Sequence, residues 1–158
     1  MKNKKLTVMT ILAILALLLT GCGSKEAPEA KKETLPLQQA LEKALPDYQD
    51  LVAYTADDLY DLMGIAPESY TEAQYLSGSD SLTGREVIAV RAKDDAALKD
   101  TVELLKTYLS QRMEETRNYL PEAYQLQSQA KVETKSLTAV LMVGEKAAEE
   151  SRAFLASE

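Results

Sequence analysis

The chain has 158 residues, no histidine, no tryptophan, a single cysteine and a net charge of −7. With no histidine and its one thiol at Cys22, the Ser-His-Asp, Cys-His and zinc–histidine chemistries are closed to it. The acidity argues against nucleic acid and anionic headgroups as partners, and the length suits one domain and hardly two.

Lys2, Lys4 and Lys5 make a basic start, and Leu6 to Leu19 is an apolar run of 14 residues. A bilayer span needs roughly 20 apolar residues, so this run suits a secretory signal. It ends in Leu19-Thr20-Gly21-Cys22, which resembles the bacterial lipobox: leucine, two small residues, then cysteine. Small side chains let the peptide enter a peptidase, and the thiol is the atom that receives the diacylglycerol. Residues 1–21 are expected to be a lipoprotein signal peptide, with Cys22 lipidated by palmitate-type chains. Two such chains hold a protein stably on a membrane, since each buried CH₂ contributes about 0.8 kcal/mol. The expected location is the extracytoplasmic face of the cell membrane. Removing residues 1–21 takes away three lysines and no acid, which moves the net charge from −7 to −10.

Residues 22–35 are polar and charged, with almost no large apolar group. They bury too little to offset the entropy of ordering, so they read as a flexible tether. Residues 36–158 then read as one α+β domain. Pro36 suits the first turn of a helix, and Leu37, Leu41 and Leu45 form its stripe before Pro46. Tyr48 to Ala53 has no clear period and admits one further helical turn. Thr55-Ala56-Asp57-Asp58 matches a capping box with aspartate for glutamate. Leu59, Leu62 and Met63 give that helix its buried face, and Gly64 its left-handed C-cap.

Glu72 to Leu76 is a candidate edge strand, followed by turn residues from Ser77 to Gly84. Glu86 to Ala92 is apolar toward both faces and is expected at the centre of the sheet. Asp94 caps the longest helix, whose stripe is Leu98, Val102, Leu105, Leu109 and Met113. Pro121 is read as its end. Ala130–Thr134 and Leu137–Val143 are strands around a Lys135-Ser136 turn. Gly144 breaks the second, and Glu145 to Leu155 closes the chain as a helix with Phe154 and Leu155 inward. The expected fold is a small, mostly antiparallel sheet of about four strands, with the long amphipathic helix on one face and short flanking helices.

Asp57, Asp58 and Asp61 lie where a helix dipole favours acids, which explains them more simply than a cation site. Ser77, Ser79 and Ser81 sit in no Gly-x-Ser-x-Gly elbow and no Ser-x-x-Lys pair, so they read as a turn. Arg112, beside the Leu105/Leu109 stripe, either snorkels to solvent or pairs with an acid such as Asp61. Tyrosine is the enriched aromatic, eight against one phenylalanine, and five of the eight fall between Tyr48 and Tyr75. Tyr54, Tyr60, Tyr70 and Tyr75 are the candidate ligand-contact residues, since tyrosines make wet, amphipathic contact surfaces. No catalytic residue, metal or cofactor is expected.

Asp58-Leu59 with Met63-Gly64-Ile65, Glu86-Val87-Ile88-Ala89-Val90 and Tyr119-Leu120-Pro121-Glu122, then the paired strands ending in Val143, carry a resemblance. Over roughly residues 45–156 the chain resembles an uncharacterised family of small bacterial lipoproteins, a domain of unknown function found mostly in Gram-positive anaerobes. Where that family usually has Tyr-Gly-Ile-Asp, this chain has Met63-Gly64-Ile65-Ala66. The resemblance implies a lipid anchor and a mixed helix–sheet fold, and no activity. Two function classes follow from the residues. One is a non-catalytic module, held on the membrane through Cys22, that contacts an envelope protein or a peptide or glycan ligand through its tyrosines. The other is a carboxylate-dependent hydrolase of the cell envelope using a pair such as Asp58 and Glu86.

Overall fold

Strand β3 (Glu86–Ala92) is the axis of the sheet because its side chains suit burial on both sides. Ile88 and Val90 point to one face, Val87 and Ala89 to the other, and all four are fully buried. The computed structural model describes residues 34–158, which form one compact unit. The signal peptide read at 1–21, the lipidation site Cys22 and the tether as far as Glu33 lie outside the described residues.

β3 pairs antiparallel with β2 (Tyr70–Gly78) and β5 (Thr138–Val143); β1 (Leu51–Ala53) adds to β2, and β4 (Val132–Lys135) to β5. The order is β1-β2-β3-β5-β4, all antiparallel. The chain is therefore α+β, with five strands where about four were expected. The extra strand is β1, which follows a 3₁₀ turn at Tyr48–Asp50 in the segment that had no clear period. Its pairing of Val52 with Ser77 makes β2 an inner strand, not the edge expected over Glu72–Leu76. Three residues are too few to show a strand period, so only pairing reveals β1.

Helices α2 (Ala56–Met63), α3 (Asp95–Thr116) and α4 (Pro121–Gln129) cover the Ile88/Val90 face. The other face is covered by α1 (Leu37–Ala44) and α5 (Ala147–Ser157), whose Leu37, Leu41 and Phe154 pack on Val87, Val140 and Met142. Each such fully buried side chain contributes about 1.5–3 kcal/mol. The predicted capping box of α2 is present: Asp58 N donates to Thr55 Oγ1 at 3.2 Å, and Thr55 N donates back to Asp58 Oδ2 at 2.7 Å. Gly64 ends the helix at φ 73°, a conformation glycine takes without steric cost. Asp94 caps α3 by accepting from Ala97 N at 2.8 Å.

Two helix readings need correction. The buried line of α3 is Ala97, Thr101, Leu105, Tyr108 and Thr116; Leu98, Val102 and Leu109 are only partly buried. Ala97 and Thr101 are small enough to let the backbone approach the sheet, and the larger leucines flank that contact. Pro121 does not end α3, which already stops at Thr116; it occupies the first turn of α4, where its missing N–H costs nothing. That helix is pinned by Ala123, fully buried, and by Gln127, whose Oε1 accepts from Thr116 Oγ1 at 2.6 Å.

The β4–β5 turn is Ser136-Leu137, with Lys135 opposite Thr138 and Ser136 at φ 51°. Helix α5 buries Phe154 completely and Leu155 in part. Two arginines of β3 and its approach bracket the α1/α5 face. Arg85 holds Asp47 at 3.0 Å and Glu150 at 2.8 Å; Arg91 holds Glu72 and Glu158, each at 2.8 Å, and donates to the Leu35 carbonyl. Among the described residues no helix is long and apolar enough to cross a membrane.

Candidate functional site

Glu86 begins β3 with the same parity as Ile88 and Val90, so its carboxyl points into the face covered by α3. Pairing of Ser77 with Glu86 and of Tyr75 with Ile88 sets the Tyr75 side chain diagonally beside it. One helical turn of α3 spans Tyr108 and Arg112, which therefore descend together over the same spot. Glu86 is 5 % exposed and Tyr75 4 %. Tyr108 donates to Glu86 Oε1 at 2.7 Å, Tyr75 donates to the same oxygen at 3.3 Å, and the two hydroxyls are 3.3 Å apart.

Both hydroxyls serve Oε1; none of the described residues donates to Oε2. Arg112 places Nε 3.8 Å from Oε1 and Nη1 2.7 Å from Glu115 Oε2, and its Nε has no hydrogen-bond partner among the described residues. Burial disfavours the charge on Glu86 and raises its carboxyl above the ordinary 4.5, although the Tyr108 hydrogen bond and the Arg112 charge act the other way. Burial also pushes the Tyr75 hydroxyl up to about 12 and raises that of Tyr108, where the Glu86 charge adds to the effect. Both phenols therefore stay protonated and remain donors toward the carboxyl at any ordinary pH.

These groups floor a cleft of about 280 Å³. Arg112 and Glu115 form one wall, and Tyr54 and Leu62 the rim. Tyr54 is fixed by its backbone, which donates to the Tyr75 carbonyl at 2.8 Å, and by its ring, which stacks on Tyr75 with centroids 4.4 Å apart. It remains 42 % exposed. The cleft thus presents an aromatic surface, one unserved carboxyl oxygen and two flanking ion-paired groups.

Of the four tyrosines singled out from the sequence, the fold brings Tyr54 and Tyr75 together in this cleft. Tyr60 is 55 % exposed on α2 and is not among the cleft residues. Tyr70, at the start of β2, packs part-buried against the core. Tyr48 lies on the opposite face of the sheet. Asp58 and Glu86 are not brought to one site: Asp58 is exposed and spent on its helix cap, while Glu86 is buried in the cleft. The acid beside Arg112 is Glu115, with Glu86 behind it, and not Asp61. Ser77 does reach the cleft wall, with its hydroxyl turned to the Gly78 carbonyl.

Tyr108 escaped the sequence reading, and Glu86 entered it only as half of a catalytic pair. Two signals point to them. A glutamate with the parity of Ile88 and Val90 must enter the core, and a Tyr–Arg pair four apart on the helix covering that core is placed to meet it. Among the described residues no group of three or more His, Cys, Asp or Glu side chains is placed to hold a metal ion.

No curated protein and no solved structure matches the chain. A family model described as a domain of unknown function, DUF4358, matches residues 43–144. That span contains all five strands and the whole cleft, from Tyr54 to Glu115, and leaves out α5 and nearly all of α1. The chain belongs to the DUF4358 family.

Proposed function

We propose that this is a lipoprotein of a Gram-positive cell envelope, held at the extracytoplasmic face of the cell membrane through lipidated Cys22, whose domain binds a small ligand without converting it. The observation that carries the binding reading is the Glu86 cleft: a carboxyl buried under two tyrosines, with one oxygen left unserved beside an exposed aromatic ring. Glu86 lines the open cleft, where its Oε2 is accessible and can accept from a donor that a ligand carries. Confinement to one membrane plane raises effective concentration, so modest affinity suffices. The ligand or partner then belongs to the envelope, and the acidic chain has no nucleic-acid role.

The test uses the full chain in detergent, incubated with the small-molecule fraction of an envelope digest. A ligand that binds only the folded state raises the melting temperature. The expected result is a stabilised wild type, an unstabilised Tyr54→Ala variant, and ligand recovered chemically unchanged. No stabilisation of the wild type removes the binding reading. The anchor has its own check, because Cys22→Ala should release the protein from the membrane fraction.

A second reading, a carboxylate-dependent hydrolase of the envelope, is favoured by one observation: the raised Glu86 carboxyl has the protonation preference of a general acid. Its expected partner, Asp58, is spent elsewhere. Recovery of a cleaved ligand, abolished in Glu86→Gln, would replace binding by catalysis.

A further inference from the structure

The cleft differs from an ordinary charged pocket in its balance. Arg85 and Arg112 line it with Glu86 and Glu115, two cations and two anions. Every one of the four already has an opposite charge nearby: Arg85 holds Asp47 and Glu150, and Arg112 lies between Glu115 and Glu86. The cleft therefore offers an incoming charge no unpaired opposite charge to meet, so a charged ligand gains no ion pair of its own there. A ligand without charge forgoes nothing by that.

What remains unserved is of another kind. Glu86 Oε2 accepts nothing from the described residues. Glu115 and Gln111 line the wall and are exposed to whatever enters, the first as an acceptor and the second as both donor and acceptor. Above them stands the Tyr54 ring, one face stacked on Tyr75 and the residue nearly half exposed. The site thus asks for a ring with a flat apolar face for the tyrosine and a belt of hydroxyl or amide groups around its edge. A pyranose has that shape: axial C–H bonds give an apolar face, and its equatorial hydroxyls both donate and accept. The volume, about 280 Å³, falls near the lower end of the range for small-molecule clefts and leaves room for one or two rings.

We infer that the Glu86 cleft recognises a neutral saccharide unit, seated with a ring face on Tyr54 and its hydroxyls on Glu86 Oε2, Gln111 and Glu115. This rests on the binding reading above and specifies its ligand class. The Tyr75–Tyr108 pair keeps Glu86 oriented by holding Oε1, so that Oε2 points to the ligand. Leu62, half exposed at the rim, adds an apolar edge to the cleft.

The experiment titrates the full chain in detergent with the β1,4-disaccharide of N-acetylglucosamine and with maltose, followed by calorimetry and by intrinsic tyrosine emission. The chain has no tryptophan, so its emission comes from tyrosine and will report on the stacked pair. Glucosamine and glucuronate are titrated alongside as charged sugars, and zwitterionic dialanine as a peptide probe. The expected result is saturable binding of a neutral disaccharide at about millimolar affinity, with both charged sugars weaker. Tyr54→Ala should weaken it roughly tenfold or more, and Tyr54→Phe, which keeps the ring, should retain it. Glu86→Gln turns an acceptor pair into one acceptor and one donor and should cost roughly tenfold. Far-UV circular dichroism checks that each variant is folded. If dialanine or a charged sugar binds and the neutral disaccharides do not, the saccharide inference falls while the binding reading stands. If no probe binds, the saccharide inference falls, and the envelope-digest experiment alone decides the binding reading.

Discussion

The two faces of β3 carry the same kinds of residue and treat them differently. On the α1/α5 face, Arg85 and Arg91 bracket Val87 and Ala89, and each arginine reaches two carboxylates at 3.0 Å or closer. On the α2/α3/α4 face, Glu86 opens the row of Ile88 and Val90 and meets no cation closer than 3.8 Å. On the first face two helices cover the row and each guanidinium is anchored at several points. On the second the carboxyl beside α3 is held through one oxygen by two hydroxyls, and its other oxygen is left to whatever enters the cleft. Strong ion pairs fix the ends of one face, and weaker hydroxyl contacts orient the polar group of the other.

The comparison breaks first at Arg91. Its guanidinium ties Leu35 and Glu72 to Glu158, whose side chain is 1 % exposed. Arg91→Ala leaves that carboxylate buried without its cation, and urea denaturation should show a loss of about 3–5 kcal/mol. A loss under about 1 kcal/mol, the value of an exposed pair, would mean that the α1/α5 face is not held by its charges. On the other face the support is apolar. Leu105→Ala removes a fully buried side chain at the centre of the α3 contact and should cost about 2–5 kcal/mol in the same measurement.

Gly84 joins the two faces, since it precedes both Arg85 and Glu86. It sits at φ 65°, and an added Cβ would stand 2.9 Å from the Ala123 Cβ of α4. Gly84→Ala should destabilise by about 1–3 kcal/mol, through backbone strain and overpacking together. It should also shift tyrosine emission, because the cleft wall would move.

The smallest effect, read as a sign and not a size, concerns Glu86. Its carboxyl is raised from the ordinary 4.5, so the folded chain holds this proton more tightly than the unfolded one. The resulting stabilisation is fully present below pH 4.5 and is lost as pH rises through the folded value. Glu86→Gln removes that dependence, so the variant should gain on the wild type in denaturation between pH 4 and pH 8. Asp47 is affected in the opposite direction, because Arg85 more than offsets its burial and lowers its carboxyl; Asp58 is lowered by its hydrogen bonds to Thr55. Their stabilisation is lost as pH falls, it is common to both proteins, and it cancels in the difference. A difference that stays constant with pH would show that Glu86 is as well solvated as an exposed acid, and would undo the contrast between the faces.

The local features of this protein were legible in its residues. The Thr55/Asp58 box, the Gly64 cap, the central place of Glu86–Ala92 and the closing helix on Phe154 depend on neighbours within a turn or a strand. Backbone sterics and side-chain period act at that range. What tertiary structure decided acts at longer range. β1 exists because Leu51 to Ala53 find the edge of β2, some two dozen residues on. The buried line of α3 runs through Ala97 and Thr101 because the sheet rewards close approach more than a wide leucine stripe. The cleft joins Tyr75 to Tyr108, 33 residues apart, and Glu86 to Tyr108, 22 apart. Arg91 meets Glu158 across 67. Hydrophobic period sorts residues into inside and outside, but it does not say which buried hydroxyl will face which buried carboxyl. That pairing follows from strand register and helix placement, and these are settled only when the whole core packs.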